Sequence, residues 1–559
     1  MRLPRLGSSA LVAAGIGLSR VAGLLREIVI AGFLGSGPAI EAFTAAFRIP
    51  NMMQNLLGEG VLSASFIPSY SKLLAEGREK EAGQLASTIL LALILITTVL
   101  DWVGITFAGP LTDLVAGGYT GERRELTVTL VRITTPGIGL LVLSSWCLGV
   151  LNSHRKFFLS YVAPVIWNFV QIFMVVGFGW TIYAGASGGL DQTSVELVKV
   201  LGWATVIGAA AQLIVQLPGV IKVERNFVLA MRWDTHARHV VQKFLPVVGA
   251  RGVIQISAWV DVWLASFLAV GAVGTMRYAS FLFLLPISLF GMSIAAAELP
   301  EMSTVRAEAV SQRLRPAFGR IAFFVVPIAT AYLFCGDYIT GLLLERGEFT
   351  SSNSTMVWLV LSVMSLGLLA STLSRLMQSA LYSLNDTTVP ARASITRVIV
   401  SALVGGVSMF QFDQFGLTAH GIVMLGQLPA LGPLETTLRE TPDIARIGAV
   451  GLGLGVAVGS WTEFAMLYRK VRATTGPLHL YNTLSAVFTG AMGAGASAVI
   501  IRYLSGNWPN WLLAILSLAV AGLIYLWVTW KSGYGLVDAL DGRLADRSNN
   551  LRTFPDRLE

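Results

Sequence analysis

The residues with the clearest chemical potential are ionisable side chains that interrupt an apolar stretch between Gly15 and Pro68. They are Arg20, Arg26, Glu27, Glu41, Arg48 and Glu59. A charge held at bilayer depth costs roughly 3 kcal/mol on insertion scales, so such residues normally face a bundle interior or a wet cavity. This stretch is therefore the first candidate for a binding site.

Three of these residues are arginines, the type that a phosphate site favours. A guanidinium group donates two parallel hydrogen bonds to phosphate oxygens and keeps its charge. Arg20, Arg26 and Arg48 thus indicate an anionic, phosphorylated ligand. The alternative is that the charges form pairs that fasten the first two helices together without any ligand.

The acidic residues extend this pattern along the second apolar segment. Glu41, Arg48 and Glu59 fall on one stripe if the helix is continuous, although Pro50 and Gly58 favour a bend. Further along, Asp261 is a candidate for binding a coupling proton or sodium ion, or for a structural ion pair.

Composition indicates that these residues lie in a polytopic membrane protein. Only 13% of the 559 residues are charged and 54% are hydrophobic, whereas globular chains average roughly 25% charged residues. Fourteen apolar segments are long enough to span a bilayer. Their approximate limits are 8–35, 39–70, 86–117, 126–151, 158–186, 195–221, 241–270, 275–304, 317–345, 354–383, 389–410, 444–468, 479–504 and 510–531.

The distribution of lysine and arginine gives the orientation. With the N-terminus inside, the inner loops and tails receive about 26 of these residues and the outer loops about 8, as cytoplasmic loops require. Both termini are therefore predicted to be cytoplasmic, with a long outer loop at about residues 411–444.

Two pairs of short segments indicate an internal duplication. SFIPSYSK echoes AELPEMST with Pro68 and Pro300 offset by 232, and VLNSHRKF echoes ALYSLNDT with Leu151 and Leu381 offset by 230. A duplicated unit of six spans places both copies in the same orientation, around a central cavity of the kind in which transporters bind substrate.

No catalytic constellation, phosphate-binding loop or set of metal ligands is recognisable, so we expect a carrier rather than an enzyme, with neither a metal nor an organic cofactor. A proton, a sodium ion or the membrane potential are the candidate driving forces.

The early block GLSRVAGLLRE followed by EAFTAAFRIPNMMQNLLGEGVLSASFIP resembles the MurJ/MviN family of lipid II flippases, in the MOP exporter superfamily. Later segments that match are VLNSHRKFFLSYVAPVIWN, LPISLFGMSIAAAELPEMS, ERGEFT and ALYSLNDTTVP.

The resemblance implies an all-α membrane protein of about fourteen helices. The implied domains are an N-terminal lobe at 1–223, a C-terminal lobe at 224–472, a lipid-tail groove made by two helices at 473–533, and a cytoplasmic tail at 534–559. The implied substrate is undecaprenyl pyrophosphate bearing the peptidoglycan disaccharide-pentapeptide, moved across the bacterial inner membrane for cell-wall synthesis. Membrane lipids and other cell-wall synthesis proteins are the implied partners, and no nucleic acid is expected.

The family's cavity residues correspond to Arg20, Arg26, Glu41, Arg48 and Glu59 in this chain. Two positions depart from the family pattern. Gln54 stands where arginine is usual, and the eighth span reads Tyr-Ala-Ser-Phe, ending at Phe281, where an Asn/Asp-Arg pair is usual. Arg277, one turn before Phe281, is a candidate substitute.

These departures keep two other interpretations open. One is export of a different polyprenyl-linked glycan or small molecule by the same fold. The other is a non-transporting scaffold for envelope assembly.

Overall fold

The computed structural model describes residues 8–185, 190–224, 230–418, 420–478, 480–504 and 508–541. Within these ranges the regular structure is helical, apart from one two-stranded hairpin. The prediction of an all-α polytopic protein is confirmed. Most of the predicted cytoplasmic tail lies outside the described residues.

The chain forms two compact units. Unit 1 contains residues 1–267 and 346–349, and unit 2 contains residues 268–345 and 350–559. The division at 267 lies later than the predicted lobe boundary at 223, because helix Thr235–Ala265 packs against helices of unit 1. The predicted lobes and their boundaries stay a prediction.

Unit 1 is a helical bundle whose core contains Phe66, Tyr70 and Trp146, each at most 2% exposed. Ala237 and Val240, near the start of its last helix, are buried in the same core. Its helices are α1 (Ser8–Leu34), α2 (Pro38–Leu57), α3 (Glu59–Ala75), α4 (Glu79–Thr106), α5 (Ala108–Val115), α6 (Gly121–Thr134), α7 (Gly137–Ser153), α8 (Phe157–Gly185), α9 (Leu190–Val223) and α10 (Thr235–Ala265).

Unit 2 is built around a long helix, Ala307–Leu344, against which the last two long helices pack. Tyr525 donates a hydrogen bond to the carbonyl of Phe323 on this central helix at 2.7 Å. The elements of unit 2 are α11 (Ala272–Pro286), a π-helix (Ile287–Met292), α12 (Ser293–Ser303), α13 (Ala307–Leu344), α14 (Ser351–Ser365), α15 (Leu368–Ser383), α16 (Thr388–Phe412), β1 (Phe415–Thr418), β2 (Gly421–Met424), α17 (Thr436–Glu440), α18 (Ala449–Thr475), α19 (Tyr481–Leu504), α20 (Asn510–Lys531) and α21 (Leu536–Asp541).

Among the described residues, ten helices are long and apolar enough to cross a membrane, or eleven if the bent pair α14 and α15 is one span. The three other predicted spans, at 8–35, 39–70 and 241–270, coincide with α1, with α2 and α3, and with α10. The exact number of fourteen crossings stays a prediction.

Glycines allow α16 and α18 to approach closely. A Cβ atom at Gly455 would lie 2.4 Å from the carbonyl oxygen of Ser401, and one at Gly451 would lie 2.4 Å from the backbone nitrogen of Met409. The glycine run in this helix therefore serves helix packing, as small residues do between membrane helices.

The backbone repeats its irregularities at the offset found in the sequence. Arg155 and Asn385, offset by 230, both have positive φ, of 58° and 60°. They follow helices that end at Ser153 and Ser383 with matching capping hydrogen bonds, such as Lys156 N to Leu151 O and Asp386 N to Leu381 O. This correspondence supports the predicted duplication.

The predicted outer loop is an ordered structure within unit 2. β1 and β2 pair antiparallel, and the backbone of Ile447 donates to the carbonyl of Phe415. Arg446 Nη1 donates to the carbonyl of Asp413 at 2.8 Å. Asp413 is 1% exposed, and this burial raises the pKa of its carboxyl to about 7, although the positive charges of Arg446 and Arg439 act in the opposite direction.

We expect the stability of unit 2 to fall as pH rises from about 4 to about 7. A carboxyl group whose folded pKa exceeds its unfolded value of about 3.9 binds its proton more tightly in the folded state, so deprotonation favours unfolding by up to about 4 kcal/mol. Thermal unfolding in detergent at pH 5 and pH 8 measures this effect, and Asp413→Asn should remove most of it. Asp443→Asn, an exposed change in the same loop, should leave it intact. An unchanged pH dependence in Asp413→Asn would assign the effect to other groups.

Candidate functional site

Helix α1 holds two of the predicted arginines in different environments. Arg20 is exposed, whereas the side chain of Arg26 is only 15% exposed. Arg26 Nη2 donates to Glu27 Oε1 at 2.6 Å, and the Glu27 carboxylate is buried. The Arg26 guanidinium is thus held in place by its neighbour on the same helix.

An aromatic side chain on α8 fixes the other side of Arg26. The guanidinium carbon lies 4.8 Å from the ring centroid of Trp167, within the range of cation–π attraction. Trp167 is itself anchored, because its indole nitrogen donates to the carbonyl of Thr205 at 3.1 Å. It also stacks on Phe47 of α2, with ring centroids 6.1 Å apart. Trp167 therefore connects Arg26 to the helix that carries Arg48.

Helix α2 runs without interruption through Pro50 and ends at Gly58. This break requires glycine, because a Cβ at Gly58 would lie 2.4 Å from the carbonyl oxygen of Gln54 and 2.9 Å from Ser145 Oγ. Glu59 begins the next helix, so the continuous stripe expected from Glu41 to Glu59 ends before Glu59. The Glu59 side chain lies outside the described part of the structure, while Arg48 is partly buried.

Glu41 makes a buried ion pair that the sequence did not indicate. Its Oε2 accepts from Arg123 Nη1 of α6 at 2.9 Å, and the two side chains are 0% and 3% exposed. The Arg123 guanidinium also lies 4.1 Å from the ring centroid of Tyr119. In this conformation the Glu41 carboxylate serves a protein contact, and its predicted role in substrate binding stays a prediction.

The C-terminal part of α2, residues 51–57, is polar and partly exposed. Asn55 Nδ2 donates to Asn51 Oδ1 at 2.7 Å and to Gln255 Oε1 of α10 at 3.3 Å. Gln54, at the position where the resemblance leads us to expect arginine, is partly buried. This region carries amide groups in place of charge.

The remaining candidates are distributed between the units. Asp261 lies near the end of α10 in unit 1 and is partly buried. Arg277 lies on α11 in unit 2, partly buried next to the fully buried Tyr278, and Phe281 follows one turn later.

The structure shows ion pairs for two of the predicted charges of the first two helices, while the alternative that such pairs fasten these helices together stays a prediction. The pair of Arg26 with Glu27 lies within α1, and the pair of Glu41 with Arg123 joins α2 to α6. Arg123, Trp167, Asn55 and Gln255 were missed by the sequence analysis. Arg123 bonds to Glu41, 82 residues earlier, and Asn55 bonds to Gln255, 200 residues later, so no local spacing could identify these contacts.

Comparison with known proteins shows which family this chain resembles. The family model described as lipid II flippase MurJ matches residues 30–431. The chain is 31% identical to the lipid II flippase MurJ of Burkholderia cenocepacia, over 72% of this chain and 78% of that protein. It is 26% identical to the probable lipid II flippase MurJ of Vibrio cholerae, over 94% of both chains.

Solved structures share the fold. A lipid II flippase MurJ in an inward closed conformation matches with a TM-score of 0.73 at 21% identity, covering 93% of this chain and 98% of that one. An inward-facing multidrug resistance MATE family transporter of the MOP superfamily matches with a TM-score of 0.58 at 15% identity, covering 81% and 94%. At these identities the likeness concerns the fold alone.

Breaking the pair between Glu41 and Arg123 should destabilise unit 1. Arg123→Gln leaves a buried carboxylate without the charge that faces it, which costs about 3 kcal/mol or more. The thermal unfolding midpoint in detergent should therefore fall by several degrees. The neighbouring Arg124→Gln removes an exposed pair with Asp113 and should have little effect. Equal midpoints for the two variants would contradict the structural role of Arg123.

Proposed function

Because this chain belongs to the MurJ family of lipid II flippases, we propose that it moves lipid II from the inner to the outer leaflet of a bacterial cytoplasmic membrane. The family match over residues 30–431 is the observation that carries this proposal. The action is transport, with no bond made or broken in the substrate. The predicted orientation, with both termini cytoplasmic, belongs to the same proposal.

The pyrophosphate of the substrate binds to the arginines of unit 1. Arg26 is held by Glu27 and Trp167, so little conformational freedom is lost when its remaining donors bind phosphate oxygens. Arg20, which is exposed, and Arg48, which is partly buried, add positive charge to the same unit. A guanidinium fixed in this way favours a doubly charged phosphate group over a neutral ligand.

Transport by alternating access avoids the main energetic barrier. A charged, sugar-bearing headgroup in hydrocarbon would lose its hydration, at a cost that makes unassisted crossing negligible. The headgroup therefore crosses along the polar side chains of the protein while the polyprenyl tail stays in the bilayer. Asp261 is the candidate for coupling this movement to a proton or sodium ion.

The lipid tail binds at the C-terminal helices in this proposal. α13, α19 and α20 enclose an apolar cavity of about 150 Å³, lined by Pro327, Ala331, Ala494, Gly495 and Leu518 among others. Small residues on α19 leave this space open, which is compatible with a narrow isoprenoid chain.

A second candidate function is export of another polyprenyl-linked glycan. Gln54 and Phe281 favour it, because both replace the cations that the family resemblance implies. Complementation of a bacterial strain depleted of its own lipid II flippase distinguishes the two substrates: growth supports lipid II. A scaffold without transport activity would instead tolerate neutralisation of both Arg20 and Arg26.

Neutralising Arg26 should slow lipid II translocation. Loss of one charge-assisted hydrogen bond costs about 1.5–3 kcal/mol, which corresponds to about tenfold or more in rate. Purified protein reconstituted in vesicles, with lipid II exposure followed by a membrane-impermeant probe, measures the effect of Arg26→Gln. Arg26→Lys should retain part of the rate, since charge is kept while the planar fork is lost.

The matched control is Arg124→Gln, which removes an exposed arginine of the same unit and should leave the rate unchanged. Wild-type rates in Arg26→Gln would remove Arg26 from the substrate site. Absence of translocation by the wild-type protein would overturn the proposed function itself.

A further inference from the structure

Three amide side chains form a hydrogen-bonded cluster in unit 1, which we call the amide cluster: Asn51 and Asn55 of α2 and Gln255 of α10. Asn55 Nδ2 uses its two hydrogens for Asn51 Oδ1, at 2.7 Å, and for Gln255 Oε1, at 3.3 Å. These two bonds link the three amide groups into one cluster. Gln54, also partly buried, lies beside the cluster on α2.

The bonds within the cluster leave specific groups available. An amide offers two donors and one carbonyl acceptor, so Asn51 and Gln255 each retain an NH₂ group and Asn55 retains its carbonyl oxygen. None of these atoms is among the buried polar atoms that lack a partner in the described residues, and all three side chains are partly exposed. The cluster therefore presents two donors and one acceptor to an accessible surface.

This surface must be wet or occupied by a polar ligand. Transfer of an amide to an environment without hydrogen-bonding partners costs roughly 4–8 kcal/mol on the cyclohexane scale. Two amides one turn apart on α2, with a third bonded to them from α10, are thus unsuited to contact with lipid tails.

The cluster follows Arg48 along the same helix. Asn51 and Asn55 are three and seven residues after Arg48, so Asn55 lies within about 20° of the Arg48 direction and about 10 Å further along the axis. Because α2 is continuous through Pro50, this spacing is maintained by one rigid element. A distance of about 10 Å suits a group that is covalently attached to a phosphate bound at Arg48.

We infer that the amide cluster is a subsite for the neutral, hydroxyl- and acetamido-bearing part of the headgroup, the sugar units next to the pyrophosphate. Uncharged donors and acceptors in a fixed array match hydroxyl and acetamido groups, whereas phosphate oxygens favour the charged arginines. This inference rests on the proposed function and extends it, because it assigns recognition of the glycan to α2 and α10.

The alternative is that the cluster only holds α2 to α10, as polar side chains do between membrane helices. The two roles differ in what they predict for ligands of different size. A purely structural contact between α2 and α10 affects all ligands of the unit equally. A glycan subsite affects only ligands that carry a glycan.

The test compares two probes on the full-length protein in detergent: undecaprenyl pyrophosphate, which lacks the glycan, and lipid II. Asn55→Leu and Gln255→Met remove the amides with little change in volume. Each should weaken lipid II binding about tenfold, the effect of losing one or two hydrogen bonds and leaving a polar group without its partner, with binding of undecaprenyl pyrophosphate unchanged.

Two controls make the result specific. Asn482→Leu removes an exposed amide from α19 and should change neither affinity. Arg26→Gln should weaken both probes, since both contain the pyrophosphate. Thermal unfolding of each variant verifies folding, and Gln255→Met serves if Asn55→Leu does not fold.

Three outcomes overturn the inference. Equal losses of affinity for both probes in Asn55→Leu and Gln255→Met indicate a purely structural contact between α2 and α10. Undiminished lipid II binding in these variants indicates that the cluster has no role in binding. Equal affinity of the wild-type protein for both probes excludes a glycan subsite. Failure of the wild-type protein to bind either probe would instead refute the proposed function, and the inference with it.

Discussion

A charge inside an apolar helix must meet an opposite charge or reach water, and unit 1 depends on how this requirement is met. Glu41 and Arg123 satisfy each other in a buried pair between α2 and α6. Glu27 is buried against Arg26 on the same helix. Glu27 and Glu41 thus have basic partners, and the positive charges of Arg20 and Arg48 add to those of Arg26 and Arg123. An excess of fixed positive charge in this part of the chain suits an anionic ligand.

The elements around these residues act mainly by restricting their motion. Trp167 lies between Arg26 and Phe47, and its own position is determined by the bond to Thr205. Arg26 thus has an ionic contact on one side and an aromatic face on the other. A site built from such supported side chains loses less entropy when it binds than one built from flexible arginines.

The sequence was sufficient for the fold class, the positions of most helices and the duplication, because these depend on hydropathy and on local backbone chemistry. The helix ends at Ser153 and Ser383, with left-handed residues two positions later, show how a local signal can survive duplication.

The pairing of Glu41 with Arg123 could not be predicted in this way, since it joins residues 82 apart in sequence. The break at Gly58 was anticipated as a bend, but Pro50, the stronger signal, leaves the helix intact. The grouping of α10 with unit 1 also depends on tertiary packing rather than on any local pattern.

The two copies of the predicted duplication share a backbone irregularity but differ in the polar residues around it. At the offset of 232, the break at Gly58 corresponds to Phe290, inside the π-helix of unit 2, so both copies interrupt the same helix. π-helical segments occur frequently at functional sites.

The side chains of the two copies nevertheless diverge. Arg48, Asn51 and Asn55 correspond to Ser280, Phe283 and Ile287, and the last two are buried and apolar. The backbone irregularity was therefore retained in both copies while the polar groups were retained or acquired in only one. This division is compatible with the proposed substrate, which is charged at the phosphate and neutral along the glycan, because a symmetric pair of sites would bind two equivalent groups that such a molecule does not possess.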